Sequence, residues 1–167
     1  MQTIIGINPT QTWGATAVPD FQLGDCGCYD DPTYGHQEFI FGRADGAITA
    51  AGYVCVWATG FDFKMATVTV TTPGTQGFGS PVGVAMAALA DNEYGWFQVQ
   101  GLGAVRTLAS AAKGTRLNTT ATAGALDDDG SAGSEAIFGI VLGTATGGAE
   151  ATNTDAMLTY PTVGTTL

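Results

Sequence analysis

Histidine is almost missing from this chain: of 167 residues, only His36 is one. Any acid–base mechanism built on imidazole would have to use it. It stands in "DDPTYGHQ", a Gly- and Asp-rich stretch where a solvated or structural histidine is the ordinary case. Basic residues are scarce as well, five Lys and Arg against fifteen Asp and Glu, for a formal charge of −10. A surface of that sign repels phosphate backbones, so free nucleic acid is not expected as a partner. No run approaches the ~18 apolar residues of a membrane span, so no membrane partner is expected. The opening "MQTIIGINPTQTWG" lacks the basic and apolar regions of a secretory signal, which points to a chain made and kept in a cytosol.

The devices of catalysis are missing too. "GFGSPVG" around Ser80 is not a nucleophile elbow, because Phe78 stands where that motif needs Gly. "GLGAVR" (101–106) carries Arg106 at the last glycine position of a dinucleotide fingerprint, and Lys113 precedes Gly114 rather than following a glycine. Asp127, Asp128 and Asp129 in "LDDDGSAGSE" do not keep EF-hand spacing, since loop positions six and twelve hold Ala132 and Phe138. An acidic turn accounts for them, because Asp and Gly suit turn geometry. Three cysteines in an apparently unsecreted chain are free thiols by default. Cys26, Cys28 and Cys55 with His36 would make a three-thiolate, one-imidazole zinc set, but the two spaced pairs of a zinc knuckle are absent. No cofactor is expected.

What is abundant is Gly (25 residues) and, toward the C-terminus, Thr. Gly punctuates turns and Thr favours strands, while Lys and Glu, which favour helices, are few. The chain therefore reads as all-β, a small β-sandwich or barrel-like domain. Residues 1–36 have Pro, Gly and Asp every few positions and no sustained period, with Trp13, Phe21 and Leu23 spaced through them. This describes an extended N-terminal arm. Its aromatics anchor it either on a neighbouring surface or back on its own domain.

From residue 37 short strands follow one another. "QEFIFGRA" (37–44) runs into Asp45-Gly46, a hairpin signal. "YVCVWAT" (53–59) is apolar on both faces, as in a strand buried on both sides. "ATVTVTT" (66–72) alternates cleanly and predicts a half-buried strand. "PVGVAMAAL" (81–89) and "YGWFQVQG" (94–101) flank Ala90-Asp91-Asn92-Glu93, a hairpin turn. "AVRTLASAAK" (104–113) has helical spacing but is read as strand and loop. "ITAAGYVCVWATG" (48–60) resembles "LASAAKGTRLNTTATAG" (108–124). "PVGVAMA" and "YGWFQVQG" likewise resemble "IFGIVLG" (137–143) and "DAMLTYP" (155–161). The 37–167 domain would thus hold two related β-units, about 37–101 and 102–167.

In "YGWFQVQG", Tyr94, Trp96, Gln98 and Gln100 share the face opposite Phe97 and Val99. An indole among uncharged amides is not the composition of a solvent face. It suits a subunit interface, where aromatics are enriched and charges depleted, or a face packed within the chain.

The ordered runs "FQLGDCGCYDDPTYGHQEFIFGRADGAITAAGYVCVW" (21–57), "PVGVAMAALADNEYGWFQVQGLGAVRTLASAAKGTRLNTTATAGALDDDG" (81–130) and "FGIVLGTATGGAEATNTDAMLTYP" (138–161) resemble small decoration (cement) proteins of tailed bacteriophage heads. Cys26 and Cys28 depart from that pattern. The resemblance implies a non-enzymatic virion protein, commonly trimeric, that binds the major capsid protein on the outer surface of the expanded head. Trp13 and Phe21 would then be arm anchors, and Tyr94, Trp96, Gln98 and Gln100 an interface face. The alternative is a tail or head-fibre subunit that grips host glycans.

Overall fold

The computed structural model describes residues 3–57, 59–147 and 151–166. Among them there is no helix, and therefore none long and apolar enough to cross a membrane. The chain is all-β. Its strands are β1 (Thr3–Ile5), β2 (Cys26–Asp31), β3 (Gly35–Ala44), β4 (Val54–Val56), β5 (Asp62–Met65), β6 (Val82–Ala85), β7 (Tyr94–Thr107), β8 (Leu117–Thr119), β9 (Leu126–Asp127), β10 (Glu135–Leu142) and β11 (Thr152–Thr166).

Two closed circuits share β7. The first runs β3-β5-β4-β6-β7 and closes through β3–β7; the second runs β7-β9-β8-β10-β11 and closes through β7–β11. Their pairings match step for step. Each begins with a parallel pair, β3–β5 in one and β7–β9 in the other, and every later pair is antiparallel. β7 is thus the last strand of one small barrel and the first of the next. A division at 101/102 falls inside this strand, so the two units have no boundary there. Gly101 marks the crossing, with a φ of +95° and the His36 carbonyl 2.4 Å from where a Cβ would lie. Only glycine accepts both conditions.

The first barrel is filled by Phe63 and Phe97, stacked at 3.7 Å between centroids, with Ile40, Cys55 and Ala85. Val105, Leu117, Ile137, Ile140 and Leu158 fill the second. Val54, Val56, Val82 and Val84 belong to that second cluster although β4 and β6 are strands of the first barrel. The barrels therefore pack against each other through β4 and β6, which explains why 54–57 is buried on both faces. The Thr-rich composition is only partly a solvent-face signal. Thr107, Thr146 and Thr154 are buried and bond one another through their hydroxyls.

Two strand readings need correction. Residues 66–72 form a turn, in which Thr71 N donates to Thr67 O at 3.0 Å. The Thr71 and Thr72 hydroxyls donate back to the carbonyls of Thr67 and Val68, each at 2.8 Å. Local hydroxyl bonds of this kind compete with a ladder, and here they prevail over alternation. Asp45-Gly46 does turn, but β3 and β4 are not paired; β3 pairs with β2, β5 and β7. By contrast, Ala90–Glu93 does join the antiparallel pair β6 and β7.

The N-terminal segment folds back on its own chain. β2 forms a hairpin with β3, so residues 26–36 belong to the sheet rather than to an arm. Before it, Trp13 exchanges two main-chain bonds with Tyr94 (3.0 and 2.9 Å), and Gly24 and Asp25 are bonded to Phe41 (2.9 and 2.8 Å). Phe21 meets Trp96 at 4.9 Å, and Trp13 meets Phe41 at 5.2 Å. This corrects the expectation for both groups of residues. Trp13 and Phe21 anchor the segment in cis, and Trp96, 1% exposed, lies beneath them. Tyr94 stacks on Phe41 at the margin of the same cluster. Gln98, also 1% exposed, donates to the carbonyls of Gln100 (3.2 Å) and Leu102 (2.9 Å), so both of its N–H groups are met within the chain. Gln100 stands in the ladder between Glu38 and Thr159.

Because Trp96 is enclosed by aromatic rings of its own chain, Trp96→Ala removes core packing. The substitution is expected to cost about 3–5 kcal/mol in urea unfolding without changing the oligomeric state measured by light scattering.

Candidate interaction surface

Apolar side chains leave the second barrel on its outer face. Val141 of β10 pairs with Met157 of β11, which pairs with Leu102 of β7, and all three are exposed. Phe138 extends the row toward the end of β11, 48% exposed, with its ring lying over Gly164. On the other side of that segment, Phe78 projects at 73% exposure from a loop tied to β11 by Gly79 N donating to Val163 O at 2.7 Å.

A bulge places the third aromatic. Between Phe138↔Thr162 and Ile140↔Leu158, β10 advances two residues while β11 advances four. Gly139 sits opposite, at φ +80° and with Thr159 O 2.9 Å from where a Cβ would lie. The extra residues throw Tyr160 outward, at φ +47° and 56% exposure. Bulges re-aim side chains in this way, and a non-glycine residue in that conformation is held by its surroundings. Here the holder is Glu38 on β3, whose carboxylate accepts the Tyr160 hydroxyl. That bond pushes the phenol up to about 12. Beneath the ring lies a cleft of about 250 Å³ lined by Ile40, Trp57, Pro81, Val99 and Pro161.

The rim is polar and acidic. Tyr34 Oη donates to Asp155 at 2.9 Å on one side. On the other, His36 Nδ1 lies 2.8 Å from Asp30 and its Nε2 lies 3.7 Å from Glu38. These polar groups, carried by the β2–β3 hairpin and Asp155, lie beside exposed apolar side chains, a composition found at protein–protein contacts.

The chain matches no protein-family model and no curated protein.

The cysteines divide. Cys55 is fully buried in the first barrel, where desolvation drives its thiol far above its ordinary range. Cys28 and His36 lie along the β2–β3 hairpin, on the face they share with Asp30 and Glu38. The set Cys26, Cys28, His36 and Cys55 is therefore not gathered at one point. Among the described residues no three His, Cys, Asp or Glu could hold a metal ion. Asp127 ends β9, and Asp128 and Asp129 bend away from it; the Asp128 carboxylate accepts Ala112 N at 3.1 Å and its carbonyl accepts Asn118 Nδ2 at 3.2 Å.

The sequence reading missed Phe78, Phe138, Val141, Met157 and Tyr160. It read "IFGIVLG" and "DAMLTYP" only as counterparts of "PVGVAMA" and "YGWFQVQG" and assigned no face to their apolar residues. The signal was there in "DAMLTYP", where Ala156 and Leu158 claim one face and leave Met157 on the other.

His36 gives a direct check on the rim. Its pKa is raised above 6.5, chiefly by the hydrogen bond to Asp30 and then by the charges of Asp30 and Glu38. The imidazolium contact is present below the ordinary value and is lost as pH rises through the raised one. An NMR titration of the His36 ring should give a midpoint above 6.5 that returns toward it in Asp30→Asn.

Proposed function

We propose that this protein is a non-enzymatic capsid decoration protein. It is made in the host cytoplasm and carried on the outside of a tailed-phage head, where it binds the major capsid protein and stabilises the expanded shell. The observation that carries this reading is the exposure of the large apolar side chains Phe78, Phe138 and Tyr160 and of the row Val141–Met157–Leu102. Large aromatics of this kind supply most of the energy of a protein contact. The sequence resemblance to cement proteins names the partner.

The charge supports it. Arg43 and Lys64 are engaged with Asp62 (2.8 Å) and Asp45 (3.3 Å), and Arg106 lies over the Tyr53 ring at 4.7 Å. Little positive charge is left for a phosphate backbone, so the protein acts on the protein shell and not on packaged DNA. It works as a homotrimer. Three copies of one modest contact, joined in a single particle, gain by effective concentration when they bridge neighbouring capsomers.

Purified protein mixed with undecorated, expanded heads should co-pellet saturably and raise the temperature of head disruption. Tyr160→Ala and Phe138→Ala should each weaken binding by roughly 30-fold, the ~2 kcal/mol of a hot-spot residue. Their melting temperatures should stay near that of the parent. Absence of binding at low and moderate salt would remove the capsid reading, and full binding by both variants would remove this surface.

A further inference from the structure

The tip of the β2–β3 hairpin, the crossing at Gly101 and the start of β11 enclose two adjoining hollows. One, of about 310 Å³, is lined by Asn8, Tyr29, Asp31 and Gln37 among others. The other, of about 130 Å³, is lined by Tyr34, Gln98 and Asn153. Asp31, Gln37 and Met86 line both, so the two form one groove.

Its polar chemistry is dominated by side-chain amides. Gln37 Nε2 donates to Leu102 O at 2.6 Å, and Gln98 Nε2 donates to the same carbonyl at 2.9 Å. Asn153 Nδ2 donates to Ala51 O at 3.1 Å. A carbonyl can only accept, so each amide must turn its nitrogen toward the protein, which fixes where its oxygen points. Asp31 Oδ1 accepts Thr33 N (2.7 Å) and Tyr34 N (2.9 Å). What remains is mixed: the amide oxygens and one carboxylate oxygen, with a second N–H each on Gln37 and Asn153. Among the described residues nothing donates to Gln37 Oε1, Gln98 Oε1, Asn153 Oδ1 or Asp31 Oδ2. Gln37 and Gln98 are 3% and 1% exposed, so these amides belong to the interior of the groove and not to a solvated surface. Gly103 leaves them room: a Cβ there would lie 2.1 Å from Gln98 Oε1.

We infer that the groove binds a neutral saccharide. Amide oxygens and N–H groups beside one carboxylate call for a neutral ligand whose groups both donate and accept. The hydroxyls of a sugar do both, and its C–H faces can lie on the rings of Tyr29 and Tyr34. Phosphates and acidic sugars are disfavoured by the charge of Asp31 and by the absence of any Lys or Arg from the lining residues. The volume takes one or two sugar units. This site uses none of the exposed apolar side chains assigned to the capsid contact, and it does not rest on that reading. A particle decorated with such a groove would hold the glycans of a cell surface.

The test is NMR titration of the isotopically labelled full chain with lactose, cellobiose and N,N′-diacetylchitobiose. Glucose 6-phosphate, sialyllactose and arginine are the comparison probes. At least one neutral disaccharide should bind at millimolar concentration or below, shifting the side-chain amide signals of Gln37, Gln98 and Asn153. Asn153→Ala should weaken that binding about tenfold while leaving the melting temperature and head co-pelleting unchanged. The inference is overturned if no neutral probe binds at about 10 mM, if binding leaves those amides unmoved, or if only arginine binds. Full affinity in both Asn153→Ala and Tyr34→Leu, which removes the ring, would overturn it as well.

Discussion

β7 has to satisfy two closed sheets with a single backbone. Its first half pairs with β3 and β6, and its second half pairs with β11 and β9. A strand that changes partners along its length must also turn its faces, and Gly101 is where it does so. Upstream of the crossing, Phe97 and Val99 point into the first barrel; downstream, Val105 points into the second. Closure then removes free edges from both barrels, which suits a chain with many apolar strands and few charges.

The same constraint sets the surfaces. Because β7 is committed to the interior of both barrels, its remaining face in the first half must be covered, and the segment carrying Trp13 and Phe21 covers it. In the second half, the outer face of β7, β11 and β10 has no such cover and keeps Leu102, Met157 and Val141 in the open. The crossing also leaves a hollow on one side, floored by the Leu102 carbonyl and the two glutamines, and a cleft on the other, under Tyr160. One topological feature thus accounts for the sealed aromatic cluster, the uncovered apolar row and the polar groove.

Fold class was legible because it rests on composition and periodicity, and β4 was legible because its two apolar faces answer to two separate cores. The similar segments 48–60 and 108–124 carry β4 and β8, which hold equivalent places in the two circuits. Less could be seen of what depends on long-range company. The face of Trp96 reads the same whether a second subunit or residues 13–21 of the same chain cover it, since periodicity gives orientation and not partner. Thr67–Thr72 alternated like a strand, and only the hydroxyl-to-carbonyl bonds, which periodicity does not register, made it a turn. Tyr160 owes its position to a two-residue bulge, and no local pattern announces a register shift between β10 and β11.

Native-state hydrogen exchange on β7 is the most direct measurement of the central claim that one strand binds both barrels into a single cooperative unit. Amides in 96–99 and in 103–106 should exchange through openings of the same free energy, within about 1 kcal/mol, and with the same denaturant dependence. If either half exchanged through a much smaller opening while the other stayed protected, the barrels would unfold independently. The shared strand would then not be what holds the structure together.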